Sequence, residues 1–143
     1  MNTHDRNEAR LQRLRDANRL IQIIGDHGRR FFWCQGRYAR LELDRGRVFI
    51  VDDYTEARVY THKTTFGNRW RGFSHGGTLR QLVELMRDYV IKGKRIPLGY
   101  IAPNNYLDTT TTTPRDIWGY GPEAAETVRR LAAELPIIEG NAP

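Results

Sequence analysis

At 143 residues, with 39% hydrophobic and 28% charged side chains, the chain has the length and balance of one globular domain with a real core. Its single cysteine, Cys34, excludes an internal disulfide, and no Cys/His grouping has zinc-site spacing. Twenty-three Lys+Arg against seventeen Asp+Glu give a net charge of +6, and no apolar run approaches membrane-spanning length, so the balance favours a polyanionic partner over a membrane.

The first segment, about residues 6–24, has a helical seam of Leu11, Leu14, Ala17, Ile21 and Ile24. Asp5 and Glu8 stand at capping-box spacing, and Gly25 predicts its stop. Residues 30–34 read as a strand broken by Gln35-Gly36. Cys34, set among aromatics there, reads as a buried small hydrophobe. Tyr38 to Leu43 alternates, Arg45-Gly46 has hairpin-turn chemistry, and 47–51 and 58–62 follow as strands. A short strand near Trp70 would extend this meander.

The second helix is announced by Thr78 as N-cap, an apolar face of Leu79, Leu82, Val83, Met86, Tyr89 and Val90, and Gly93 as stop. Beyond Ile96-Pro97 the texture changes. Residues 104–143 read as an extended connector with a threonine run, Thr109 to Thr113, then a helix from Pro122 to about Leu135 with a seam of Ala124, Val128, Leu131 and Leu135. The division is thus a basic α+β body at 1–103, with 20 basic and 11 acidic side chains, and a tail at 104–143, with 3 and 6, packed on the same domain. The terminal helices also offer a surface for a homodimer. The expected fold class is α+β: an antiparallel sheet of three to five strands with helices packed mainly on one face.

The densest chemistry lies in Arg69-Trp70-Arg71-Gly72-Phe73-Ser74-His75-Gly76-Gly77-Thr78, which opens onto the second helix. A helix N-terminus presents unpaired N–H groups and partial positive charge. Arg69 and Arg71 would add to that, Trp70 would offer a flat ring, and Ser74, His75, Gly76, Gly77 and Thr78 would supply donors to an anion or partner. The alternative is a tight turn whose polar groups bond the local backbone. A second surface, Tyr38, Arg40, Arg58, Tyr60 and His62, would present arginines and aromatics on the open sheet face, as single-strand binding modules do.

His62, His75, Asp52 and Asp53 form the one candidate acid–base or metal set, and their spacing matches no motif with a mechanism. No lysine completes a phosphate loop in the glycine block, and no dinucleotide fingerprint is present. The sequence therefore calls for no catalytic residues, no metal and no cofactor, and a phosphoryl-chemistry enzyme ranks third among the readings.

Arg37 to Asp44, Arg47 to Tyr54, Arg58 to His62 and above all Phe73-Ser74-His75-Gly76-Gly77-Thr78-Leu79 resemble a group of small bacteriophage and prophage proteins, over about residues 30–95. The resemblance carries no catalytic residues with it. It implies a phage or mobile-element context in the host cytosol. A basic protein there would bind nucleic acid or a host nucleoprotein, or would inhibit a host defence complex, as anti-CRISPR proteins do, by protein–protein contact.

Overall fold

A computed structural model describes residues 3–27, 31–101 and 121–140. The elements run α1 (Thr3–His27), β1 (Trp33–Cys34), β2 (Arg37–Tyr38), β3 (Arg40–Asp44), β4 (Arg47–Val51), β5 (Arg58–Tyr60), α2 (Thr78–Lys92), α3 (Leu98–Ile101) and α4 (Gly121–Ala132). The class is α+β, with an antiparallel three-stranded sheet in the order β3-β4-β5 and a separate β1-β2 hairpin.

Alternation builds the larger sheet. Leu41, Ile50 and Val59 stand side by side in register and are buried, while Glu42, Phe49 and Tyr60 form the next rank on the opposite face. Arg45 and Gly46 both adopt positive φ (54° and 77°), which the two-residue turn joining β3 to β4 requires. The helices cover the inner face. Leu82, Val83, Met86 and Val90 of α2 and Ala17, Leu20, Ile21 and Ile24 of α1 are each fully buried in one core with the inward strand residues.

Helix α1 lies against β3, α2 and α4. Asn18 on α1 accepts from the Leu41 N–H (2.7 Å) and donates to the Leu41 carbonyl (3.0 Å) at the sheet edge. Arg13 donates to the Val90 carbonyl (3.0 Å) near the end of α2. The Tyr89 hydroxyl donates to Asp16 (2.8 Å), and burial together with that bond pushes the phenol well above its ordinary value. The C-terminal segment is tied in by Ile96, whose N–H and C=O bond the backbone at Ile137 and Glu139.

Four local expectations change. Gly25 does not end α1, which runs on to His27; its bare Cα lets the Tyr38 ring approach to where a Cβ would meet carbon at 3.0 Å. The strand expected over 38–43 is broken at Ala39, whose N–H bonds the Phe32 carbonyl (2.9 Å), so that Tyr38 belongs to the hairpin and Arg40 to the sheet. Near Trp70 there is only an isolated bridge between Phe66 and Arg69. In α4 the buried residues are Ala125, Val128 and Ala132, one position round from the expected stripe, and this face packs against α1 of the same chain. The threonine run at 109–113 lies outside the described residues. Among the described residues, no helix is long and apolar enough to cross a membrane.

Candidate functional site

The outer face of the sheet is the first candidate, because among the described residues the helices that meet the sheet, α1 and α2, bury its other face. Of the expected surface residues, Arg40, Arg58, Tyr60 and His62 gather beside it, joined by Phe49 and Arg47, whose outward positions follow from the β4 register. The rings of Phe49 and Tyr60 lie 5.4 Å apart, and those of Tyr60 and His62 5.5 Å apart. The Arg58 guanidinium sits 3.8 Å above the Phe49 ring, and that of Arg47 lies 5.7 Å from the Tyr60 centroid. Glu42 and Asp44 are interleaved: Arg58 pairs with both (3.2 and 3.0 Å) and Arg40 with Glu42 (3.1 Å). Tyr38 stands apart. Its hydroxyl donates to Asp26 at the end of α1, a bond that, with burial, raises the phenol above its ordinary value, and with Arg40 it lines a separate cleft.

The block leading into α2 is divided by the fold. Trp70 is 2% exposed, its indole N–H donating to the Lys63 carbonyl (3.0 Å), so its ring is core and offers no stacking surface. Phe73 packs against it with centroids 5.6 Å apart. Arg69 and Arg71 remain exposed and border a shallow hollow with Phe66. The Arg69 side chain crosses Gly76, where a Cβ would come within 2.4 Å of its Nε. Gly77, at φ 54° and ψ −117°, is the N-cap of α2 in a conformation reserved for glycine. Thr78 is thus the first helical residue, exposed, and caps nothing: the chain needs the glycine turn at 77, which moves the helix start one residue back.

Ser74 and His75 turn inward, onto carboxylates. Asp52, at the end of β4, takes four donors: the N–H groups of Tyr54 (2.9 Å) and Thr55 (2.7 Å) on Oδ2, and the Ser74 N–H (2.6 Å) and hydroxyl (2.9 Å) on Oδ1. Burial pushes this carboxyl up, but the Ser74 and Thr55 N–H groups, the Ser74 hydroxyl and the Tyr54 N–H together hold it below its ordinary value. Asp53 accepts from His75 Nε2 at 2.8 Å. The His75 ring is also walled by the edges and faces of Phe31, Phe32 and Phe73, at 6.3, 5.6 and 5.4 Å between centroids.

Asp53 and His75 open onto a cavity of about 520 Å³ that Trp33, Cys34, Gln35, Tyr54 and Ser74 complete. Cys34, expected in the core, is half-buried at its wall, because it lies on the separate β1-β2 hairpin, which packs beside α1 and outside the larger sheet. Donor atoms of Asp52, Asp53 and His75 lie within 4.8 Å of one another. The pairing of 52–53 with 74–75 spans 22 residues, so no local motif signals it.

Comparison with known proteins agrees with the phage-like character of the sequence. The chain is 33% identical over 135 residues, 93% of its own length and 88% of the relative's, to the SPbeta prophage-derived uncharacterized protein YoqU of Bacillus subtilis (strain 168). No solved structure matches it. The profile of the YoqU family matches residues 7–143, which takes in both the open sheet face and the Asp53–His75 cavity, and the chain belongs to that family of prophage origin.

Proposed function

We propose that this protein acts by binding, without catalysis, and that its target is nucleic acid or a host nucleoprotein met across the outer sheet face. The observation that carries this reading is the run of touching rings, Phe49, Tyr60 and His62, with Arg47 and Arg58 over two of them, on the sheet face opposite the one that α1 and α2 pack against. Aromatic rings take unpaired bases by stacking, and arginine forks take phosphates and stack as well. The net charge of +6 works in the same direction, and prophage origin supplies a setting in which small nucleic-acid accessories operate.

Binding to labelled single-stranded DNA, single-stranded RNA and duplex DNA across a salt series tests it. Single strands should be preferred, with log K falling against log salt by about 0.7 for each phosphate neutralised. Tyr60→Ala should weaken binding by about 1–3 kcal/mol, the value of one stacked base. Absence of binding at low salt overturns the reading.

One observation favours a second reading. Arg40 and Arg58 already pair with Glu42 and Asp44 on the same face, so the surface presents both signs of charge. A mixed face suits a protein partner, and the function would then be inhibition of a host defence complex, of the anti-CRISPR type, by protein contact alone. Capture of one defence-complex subunit with no response to added nucleic acid would select it.

A further inference from the structure

Two carboxylates adjacent in sequence, Asp52 and Asp53, are each only 2% exposed; Asp53 lines the 520 Å³ cavity, and Asp52 stands behind it with a carboxylate oxygen within 4.8 Å of the Asp53 and His75 donor atoms. Among the described residues no arginine or lysine pairs with either. Their environments differ sharply. Asp52 is saturated by four neutral donors, whereas Asp53 has a single polar partner among the described residues, the imidazole of His75. Buried carboxylates are tolerated when paired or when they hold a metal ion. Among the described residues Asp53 is thus the less compensated of the two carboxylates, and it lines open space.

We infer that Asp53 and His75 form a binding site for a divalent first-row transition cation, with Asp52 as the neighbouring second carboxylate. The geometry suits such an ion. His75 Nε2 and Asp53 Oδ1 are 2.8 Å apart. Imidazole nitrogen and carboxylate oxygen each lie about 2.0–2.2 Å from a bound ion, so two such ligands at right angles stand about 3 Å apart. The ion takes the place of the Nε2 proton along the ring's lone pair, and the Asp53 carboxylate turns from its 2.8 Å contact to meet it. The three phenylalanine rings around His75 hold its ring in place beforehand. The cavity leaves room for water on the remaining coordination positions.

Asp52 contributes charge without direct ligation, because its oxygens are already engaged by Tyr54, Thr55 and Ser74. It fixes the Ser74-His75 segment against the end of β4, as outer-shell groups fix metal ligands. One imidazole with one carboxylate favours manganese, cobalt or zinc over calcium, which prefers an all-oxygen shell. Cys34 lines the cavity but is outside the group of donors that lie within 4.8 Å of one another, so the site does not depend on it.

Titration of the full chain with Co2+, followed by calorimetry and visible absorption, tests the site. Saturation at one ion per chain is expected. Asp53→Asn, which keeps the shape and can still accept from His75, should weaken binding at least about 10- to 100-fold, while Cys34→Ser should leave it unchanged. A measurement that needs no variant runs beside these: substoichiometric Mn2+ should broaden the His75 ring signals in the NMR spectrum while those of His4, His27 and His62 stay sharp. Loss of binding in Cys34→Ser would mean an ion held adventitiously by the thiol and would overturn the assignment. So would an unsaturable titration, undiminished affinity in Asp53→Asn, or broadening spread evenly over the four histidines.

Discussion

Asn18 on α1 bonds both backbone groups of Leu41, accepting from its N–H at 2.7 Å and donating to its carbonyl at 3.0 Å, and so serves β3 as a neighbouring strand would. The amide closes part of the outer edge of the three-stranded sheet and fixes the height of α1 above it. Replacing Asn18 with alanine should destabilise the protein by about 1–3 kcal/mol, because a shielded donor and acceptor are left without partners. Faster exchange of the Leu41 amide, with little change at Ile50 in the middle strand, would locate the loss at this edge.

Asp52 makes stability depend on acid. Its folded-state pKa lies below the ordinary carboxylate value, so the stabilisation is present at neutral pH and is lost as pH falls below about 4 towards the folded value. Asp52→Asn should lower stability at pH 7 by about 1.5–3 kcal/mol, since hydrogen bonds to a charged acceptor are replaced by weaker ones. Denaturant melts from pH 7 to pH 2.5 should show the gap between wild type and variant narrowing with acid. A gap that widens would contradict the assignment.

Met86 is fully buried where α2 faces the sheet. Met86→Asp should abolish cooperative unfolding, because an unpaired buried carboxylate costs several kcal/mol, on the order of the stability of a whole domain. Met86→Leu keeps volume and polarity and should cost less than about 1.5 kcal/mol. Thermal melts of the two variants make the comparison.

Gly77 has φ 54° and ψ −117°, with nothing within 4 Å of where a Cβ would stand, so a substitution there is opposed by backbone strain alone. Gly77→Ala should cost about 1–3 kcal/mol. Gly25→Ala differs in kind: its backbone is helical, and the cost arises from the Tyr38 ring at 3.0 Å together with the Trp33 Cβ at 3.3 Å. Shortening Tyr38 to alanine should relieve the larger part of the second variant's cost and leave the first unchanged, which a double-mutant cycle on stability reads directly.

The elements whose signals are local were readable from the residues. The seam from Leu79 to Val90 and the left-handed stop at Gly93 place α2 where it lies, and the Arg45-Gly46 turn joins the strands it should. Alternation also put Arg40, Arg58 and Tyr60 on one face. Phe49 is not legible as their companion because β4 reads as an unbroken apolar run, and only its register with Glu42 and Tyr60 turns Phe49 outward. Trp70 misleads for a related reason: flanking arginines suggest exposure, and nothing short of the tertiary packing shows the indole in the core. The Asp53–His75 pair depends on two turns meeting across 22 residues, which periodicity cannot report.

The place of α1 at the centre of the packing bears on the order in which the chain becomes stable during its synthesis. Among the described helices, α1 precedes the others in the chain, and it lies against α4, which follows them, as well as against β3 and α2. Until residues 121–132 have left the ribosome, the side of α1 that meets them has no cover. Products cut short before α4 would carry that sticky side permanently and be drawn into aggregates or degraded. Proteases and chaperones of the cell would therefore discriminate chains that carry α4 from chains that lack it at a helix far upstream of the break.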